Sequence, residues 1–215
     1  MDFFSFVGDR WSVLSYLAYQ HLSVVVQSLV LAVAIGLLLA VLLYRSPAGA
    51  AFGNVASAVG LTIPSYALLG ILIAFLSNGV VVSVVALAFY GSLPILRNAI
   101  VGLRGVDPKL VESARGMGMT RAAVLLRLEI PLAWPVIMTG VRISGQMLMG
   151  VAAITAYVLG PGLGGYIFAG ISRMGGANAT NDIVAGTVGI LILAVVLDVV
   201  LNLLTRVTTS RGIRV

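Results

Sequence analysis

The chain has 215 residues, of which 60% are hydrophobic and only 9% are charged, and its formal net charge is +6. Soluble domains carry about 25% charged residues, so this composition excludes an ordinary soluble protein and predicts one that has the lipid bilayer as its partner. The absence of cysteine and the presence of one histidine, His21, exclude disulfides and the usual zinc sites, so we expect no metal.

Apolar segments predict five membrane-spanning helices. A helix needs about 20 apolar residues to cross about 30 Å of hydrocarbon. The segments that meet this requirement are 22–44, about 50–76, 79–96, about 132–158 and 183–204. His21, at the edge of the first segment, is interpreted as an interfacial residue, and nothing in the sequence divides the chain. We therefore predict an all-α polytopic membrane protein with residues 1–215 in a single domain.

The basic residues predict how the chain is oriented. Most fall on one side of the predicted membrane, in two loops and the tail, at Arg45, Arg97, Arg104, Lys109, Arg115, Arg121, Arg127, Arg206, Arg211 and Arg214. The opposite side has only Arg10 and Arg173. Because cytoplasmic loops are enriched in Lys and Arg, we expect an external N-terminus and a cytoplasmic C-terminus. Basic residues placed between apolar spans do not indicate a nucleic-acid partner.

Charge is concentrated in residues 106–131, between the third and fourth predicted spans. Local signals predict a short helix followed by a turn: an N-cap, a proline in the first turn, small residues that leave a flat face, and a glycine, at Asp107, Pro108, Ser113, Ala114 and Gly118. Pro131 would begin the fourth span, where its missing amide donor costs little. We expect this helix to lie along the membrane surface.

The spacing of this stretch resembles the EAA loop of ABC importer permeases, which reads Glu-Ala-Ala, three residues, Gly, nine residues and Ile-x-Leu-Pro. Ser113 replaces the second-position Ala, and the aliphatic residues Leu128 and Ile130 are exchanged. The resemblance implies the type I ABC importer permease fold and a coupling helix that docks on a cytoplasmic ATPase. The residues that it assigns to this contact are Glu112, Ser113, Ala114, Gly118, Met119 and Pro131.

Longer segments resemble the permeases for osmoprotectants such as glycine betaine, choline and carnitine, namely 62–70, 90–120, 159–171 and 181–204. Tyr66 and Pro161 depart from that family's usual residues. The resemblance implies half of a translocation path in a bacterial plasma membrane. The implied partners are ATPase subunits, a second permease that is the same chain or a paralogue, and an external substrate-binding protein. A methionine or other small-solute importer permease is the alternative, and a passive osmolyte channel is a more distant one.

The sequence does not predict an enzyme or a bound cofactor. The only lysine, Lys109, follows Pro108, and no G-x-x-x-x-G-K-[ST] phosphate loop occurs, so ATP would be bound by the partner ATPase. An intramembrane hydrolase would need a catalytic pair within the spans, whereas Asp198 is alone there.

Several residues within the spans are candidates for the translocation path. Aromatic faces suit a quaternary ammonium group, which cannot donate a hydrogen bond. The candidates are Pro64, Tyr66, Tyr90, Arg142 and Tyr157, and packing or a place in the interfacial belt is the alternative for the aromatic residues. Because an unpaired charge within a span is costly, we expect Arg142 to snorkel toward the cytoplasmic interface, and the alternatives are that it lines the path or pairs with a carboxylate. Asp198 is the candidate partner, in a structural ion pair with Arg142 or with a loop arginine. Pro64 would kink the second span, and the glycine-rich segment 160–165 is predicted to form an external turn or gate.

Overall fold

The computed structural model describes residues 2–209, and all its regular elements are helical. The helices are α1 (Phe3–Asp9), α2 (Trp11–Leu43), α3 (Pro47–Gly60), α4 (Ser65–Leu76), α5 (Gly79–Arg104), α6 (Pro108–Gly116), α7 (Arg121–Val124), α8 (Ile130–Ile154), α9 (Gly164–Ser172) and α10 (Ala179–Thr208). Leu125–Glu129 forms a π-helical turn before α8, and Thr155–Val158 forms a 3-10 turn after it. The prediction of an all-α fold is confirmed.

About five membrane crossings are present, as predicted. Within residues 2–209, four helical segments are long and apolar enough to cross a membrane: α2, α5, the stretch Arg121–Val158 and α10. A fifth crossing results if α3 and α4, which meet at 92°, count as one span. Three helices extend beyond the predicted apolar segments: α2 begins at Trp11, α5 continues to Arg104 and α10 runs from Ala179 to Thr208. Arg211 and Arg214, used in predicting the orientation, lie outside the described residues.

His21 is part of the core, and its interpretation as an interfacial residue is wrong. Because α2 begins at Trp11, His21 lies well inside the helix and is fully buried. Its Nε2 atom is 3.1 Å from the backbone oxygen of Met149 in α8. The imidazole therefore links α2 to α8, two membrane-spanning helices, and the apolar pattern of α2 alone did not indicate this contact.

The second span is broken at Pro64. A proline cannot donate a backbone hydrogen bond and disfavours helical conformation in the residue before it. Pro64 is extended, with a ψ of 128°, and α4 starts at the next residue without a side-chain cap. The hydroxyl of Tyr90 in α5 donates to the backbone oxygen of Ile63 at 2.8 Å. The break is thus held by a specific contact with α5.

The core is built around α5, which packs against both α2 and α8. It is the most buried of the spans, with Leu87, Ile95 and Ile100 fully or almost fully excluded from the surface. The last span, α10, is the least buried and exposes many leucine, isoleucine and valine side chains. An apolar exterior of this kind fits contact with lipid, because hydrocarbon solvates those side chains.

Small residues allow α5 and α8 to approach closely. Ser144 is buried and its hydroxyl donates to the backbone oxygen of Gly91 at 2.7 Å. A Cβ atom at Gly140 would lie 2.8 Å from the Asn98 Cβ and 3.0 Å from the Pro94 oxygen. In lipid, where the hydrophobic effect between helices is absent, such close packing is a main source of helix association.

The hairpin between α9 and α10 is closed by an ion pair. Arg173 donates to the buried carboxylate of Asp182 at 2.9 Å and, through Nε, to the backbone oxygen of Ala169. The preceding glycine-rich segment 160–165 contains a turn in which Gly162 has a φ of +122°, and α9 starts at Gly164. The segment therefore combines a turn with the first two residues of α9, and its external position and its role as a gate stay predictions.

Substituting Gly140 tests the contact between α5 and α8. We expect Gly140→Ala to lower the free energy of unfolding by about 1–3 kcal/mol, because the added methyl group overpacks a backbone contact. Gly150→Ala in the same helix is the matched control: its Cβ meets no atom within 4 Å, so it should be neutral or stabilising by up to about 1 kcal/mol. Unfolding of the purified protein in mixed detergent micelles measures both, and equal midpoints would contradict the packing interpretation.

Candidate ATPase-coupling surface and translocation residues

The charged loop begins with the predicted N-cap. The Asp107 carboxylate accepts a hydrogen bond from the Lys109 amide at 2.9 Å, and Pro108 occupies the first turn of α6. A carboxylate at this position also interacts favourably with the helix dipole. The start of α6 is therefore encoded by adjacent residues and does not depend on the rest of the fold.

The same helix ends at a left-handed turn. Gly118 has a φ of +85°, a conformation that costs other L-residues roughly 1–2 kcal/mol. The turn lets the Met119 amide donate to the Ala114 oxygen at 3.1 Å, which closes the end of the helix. No atom lies within 4 Å of a Cβ built at Gly118. Its requirement for glycine is therefore conformational within this chain, and the space beside it is open.

The outer side of α6 combines polar and apolar groups. Glu112 and Ser113 are exposed, as expected of residues that contact a partner. Sequence reasoning missed Leu110 and Met117, which lie seven residues apart on one side of the helix; Met117 is 77% exposed. Large exposed apolar side chains with a polar surround are characteristic of protein contact sites. Their spacing of seven residues, about two helical turns, was the sequence signal that could have identified them as one apolar side of the helix.

The other predicted coupling residues differ in accessibility. Ala114 is buried, so its side chain positions α6 within this chain and does not form part of an exposed flat face. Met119 is half-buried, and Pro131 is exposed in the first turn of α8. The helical path into the fourth span begins earlier than predicted, at Arg121, and includes the π-helical turn. Such turns insert an extra residue into the helix and are frequent at functional positions.

A hydrogen-bonded cluster joins this loop to the end of α2. The Tyr44 hydroxyl donates to the buried carboxylate of Glu129 at 2.8 Å and accepts from Arg45 Nε at 2.7 Å. The Arg45 guanidinium also lies 3.7 Å from the same carboxylate oxygen. Burial, followed by the hydrogen bond to Glu129, raises the pKa of Tyr44 above its ordinary value, so the hydroxyl remains a donor.

This cluster was missed from the sequence because its members are far apart in the chain. Tyr44 and Glu129 are separated by 85 positions. They line one groove together with α6 residues, among them Val111, Glu112 and Arg115. The α6 helix, the end of α2 and the start of α8 therefore share one surface.

Arg142 and Asp198 are brought together across α8 and α10. The guanidinium contacts both carboxylate oxygens, with distances of 3.0 to 3.1 Å, and the Gln146 amide donates to the same carboxylate at 2.9 Å. Bidentate geometry offsets the cost of placing two charges within the spans. Because Asp198 holds the guanidinium, Arg142 is not free to snorkel to the interface.

The aromatic path candidates fall into two groups. Tyr90 is buried, and its hydroxyl donates to the backbone oxygen of Ile63, next to Pro64 at the broken span. Tyr66 and Tyr157 are exposed, and their rings meet edge to face with centroids 5.4 Å apart. The structure thus places Tyr90 in support of the break and leaves the other two on the surface of the chain.

Relatives of the chain are transport permeases. Choline transport system permease protein OpuBB of Bacillus subtilis (strain 168) is 40% identical over 211 residues, covering 97% of this chain and 94% of that protein. Osmoprotectant import permease protein OsmW of Salmonella typhimurium is 39% identical over 219 residues, covering 100% of both. Carnitine transport permease protein OpuCB of Listeria monocytogenes is 37% identical over 196 residues, covering 91% of this chain and 88% of that protein.

Solved structures of ABC transporters share the fold. A chain of the MetNI methionine ABC transporter in an inward-facing conformation aligns with a TM-score of 0.79 and 22% identity, covering 94% of this chain and 99% of that chain. An amino acid ABC transporter with histidines aligns with a TM-score of 0.75 and 20% identity, covering 96% and 98%. Residues 32–211 match the family described as "Binding-protein-dependent transport system inner membrane component". The chain therefore belongs to this family of ABC importer permeases.

Proposed function

We propose that this chain is the permease subunit of an ATP-driven importer for small quaternary amines such as glycine betaine, choline or carnitine. The observation that carries the proposal is similarity at 37–40% identity, over almost the whole chain, to permeases named for choline, carnitine and osmoprotectants. The exposed α6, with its capped start and glycine-dependent end, supports an ATP-driven mechanism over a passive channel.

The coupling step follows from how α6 is connected. The helix follows α5 after a short turn and leads through α7 and the π-helical turn into α8. The exposed residues Leu110, Ser113 and Met117 are suited to contact a cytoplasmic ATPase. Closure of that ATPase on ATP would push α6 and, through these connections, displace α5 and α8. The Tyr44–Glu129 hydrogen bond would make the end of α2 move with them.

The partners and location follow from this role. An importer of this family works with an ATPase and a substrate-binding protein. We infer that two copies of this chain, or this chain and a paralogue, enclose the path, with residues 1–215 acting as one unit. The ATPase would bind the nucleotide, and this chain would bind no cofactor and catalyse no reaction. The distribution of basic residues supports an external N-terminus and a cytoplasmic C-terminus in the bacterial inner membrane.

Reconstitution tests the proposed function. The permease and its ATPase are placed in proteoliposomes with ATP inside and the substrate-binding protein outside, and uptake of choline, glycine betaine, carnitine and methionine is measured. We expect accumulation of at least one of them against its gradient, and none when ATP or the binding protein is omitted. Equilibration of the solute without ATP would favour a passive channel, and accumulation of methionine instead would favour the alternative importer.

Gly118 tests the coupling surface. If docking requires the left-handed turn, the strain of roughly 1–2 kcal/mol in Gly118→Ala predicts about 5- to 30-fold weaker binding of the ATPase. Gly116→Ala is the control, because Gly116 lies in α6 with the same open space around its Cβ and no positive φ. Binding of purified ATPase to the permease in nanodiscs measures both, and unchanged affinity in Gly118→Ala would contradict the coupling role of this turn.

Tyr44 tests the connection between α2 and the loop. Tyr44→Phe removes the donor to a buried carboxylate, which we expect to cost about 1–3 kcal/mol of stability and to reduce the number of solute molecules imported per ATP. Tyr19→Phe is the control, since Tyr19 is 68% exposed in α2. Parallel measurements of uptake and ATP hydrolysis give this ratio. A wild-type ratio in Tyr44→Phe would mean that the hydrogen bond does not contribute to coupling.

A further inference from the structure

Three aromatic rings from separate parts of the chain meet at one surface. Tyr66 lies in the first turns of α4, Tyr157 in the 3-10 turn after α8, and Phe168 in α9. The Tyr66 and Tyr157 rings are 5.4 Å apart at an interplanar angle of 80°, and the Tyr157 and Phe168 rings are 6.5 Å apart at 48°. We call this group the aromatic corner. Its two tyrosine rings present faces that are nearly at right angles.

The aromatic corner is accessible from outside the chain. Tyr66 is 46% exposed and Tyr157 is 65% exposed, and neither hydroxyl forms a hydrogen bond within residues 2–209. These side chains therefore do not serve to satisfy or seal the core, in contrast to the buried Tyr90. Their ring faces remain available to a ligand.

The adjacent backbone indicates that this surface is not turned toward lipid. If α3 enters the membrane at Pro47, its 14 residues rise about 21 Å, and the break before α4 then lies within the roughly 30 Å of hydrocarbon. The break exposes Thr62 and Ile63, and the first amides of α4 have no side-chain cap. Irregular backbone at this depth is tolerated only against protein or a water-filled cavity. Tyr66, two residues after Pro64, shares that location.

We propose that the aromatic corner is a subsite of the permease for the quaternary ammonium group of the transported solute; this rests on the proposed function. A quaternary ammonium has no N–H donor, so aromatic faces bind it better than hydrogen-bond acceptors do. The elements that form the corner, α4, the 3-10 turn and α9, contain no acidic residue. Binding through ring faces alone is weak, which suits a site from which the solute must move on.

The site can be tested on the permease–ATPase complex without the substrate-binding protein. The probe is choline, and its comparator is 3,3-dimethylbutan-1-ol, a neutral molecule of the same shape. Saturation-transfer NMR titrations in nanodiscs measure the dissociation constant of each. If the ring faces bind the positive charge, the neutral molecule should bind about tenfold more weakly than choline. Equal binding of the two probes to the wild-type complex would overturn the proposal.

Variants locate the binding to the aromatic corner. Replacing both tyrosines, Tyr66→Leu with Tyr157→Leu, should weaken choline binding about tenfold, whereas Tyr66→Phe with Tyr157→Phe keeps the ring faces and should change it by less than about twofold. The control pair is Tyr16→Leu with Tyr19→Leu, because these α2 tyrosines are 60% and 68% exposed. Wild-type affinity in the leucine pair would overturn the proposal, as would equal losses in the leucine and phenylalanine pairs.

A replacement variant and an uptake measurement complete the test. If the leucine pair fails to fold, Tyr157→Leu alone replaces it, since Tyr157 is the more exposed of the two tyrosines. Uptake by the complete importer separates the two proposals. Choline uptake by the wild type with unchanged choline binding in the leucine variants would refute the subsite and leave the proposed function standing. Failure of the wild type to accumulate any quaternary amine would refute the proposed function itself.

Discussion

Close backbone contact between α5 and α8 is the constraint on which the other features depend. In lipid the exclusion of apolar surface from water contributes little, so helices must associate through packing and hydrogen bonds. Gly140 brings the two backbones together, and the Ser144 hydroxyl uses this proximity to reach the Gly91 oxygen at 2.7 Å. Of this pair, α8 also contacts α2, through His21 and the Met149 oxygen, and α10, through the Arg142–Asp198 ion pair. The charged loop therefore connects two helices that are packed closely against each other.

Two irregular segments of the chain are each held by a tyrosine hydroxyl. At the loop, the buried Glu129 carboxylate accepts a hydrogen bond from Tyr44, and this donor matters because an unpaired buried charge is expensive. Inside the spans, a broken helix is held by the Tyr90 hydroxyl. Each contact fixes an irregular segment, and irregular segments are where a permease can change conformation without melting its helices.

The local signals that start and end α6 could be predicted from the sequence. Asp107 and Pro108 predict its start and Gly118 its end, because capping and backbone conformation depend on residues within one helical turn. The number of spans could also be predicted, because the hydropathy of a span depends only on residues in one continuous segment. Span boundaries were less accurate: α2 begins at Trp11 and α5 continues to Arg104, because a helix does not end where its most apolar segment ends.

By itself, then, the sequence determined the all-α class, the number of spans, the capped start and glycine end of α6 and the resemblance to importer permeases. Only the tertiary structure decided which side chains are buried and which residues distant in the chain meet. Ala114 looked like part of an exposed face and is buried, and His21 looked interfacial and is in the core. Tyr66 meets Tyr157 only because α4 bends back beside the end of α8. Such contacts depend on how whole helices pack, and helix packing is not encoded in the spacing of neighbouring residues.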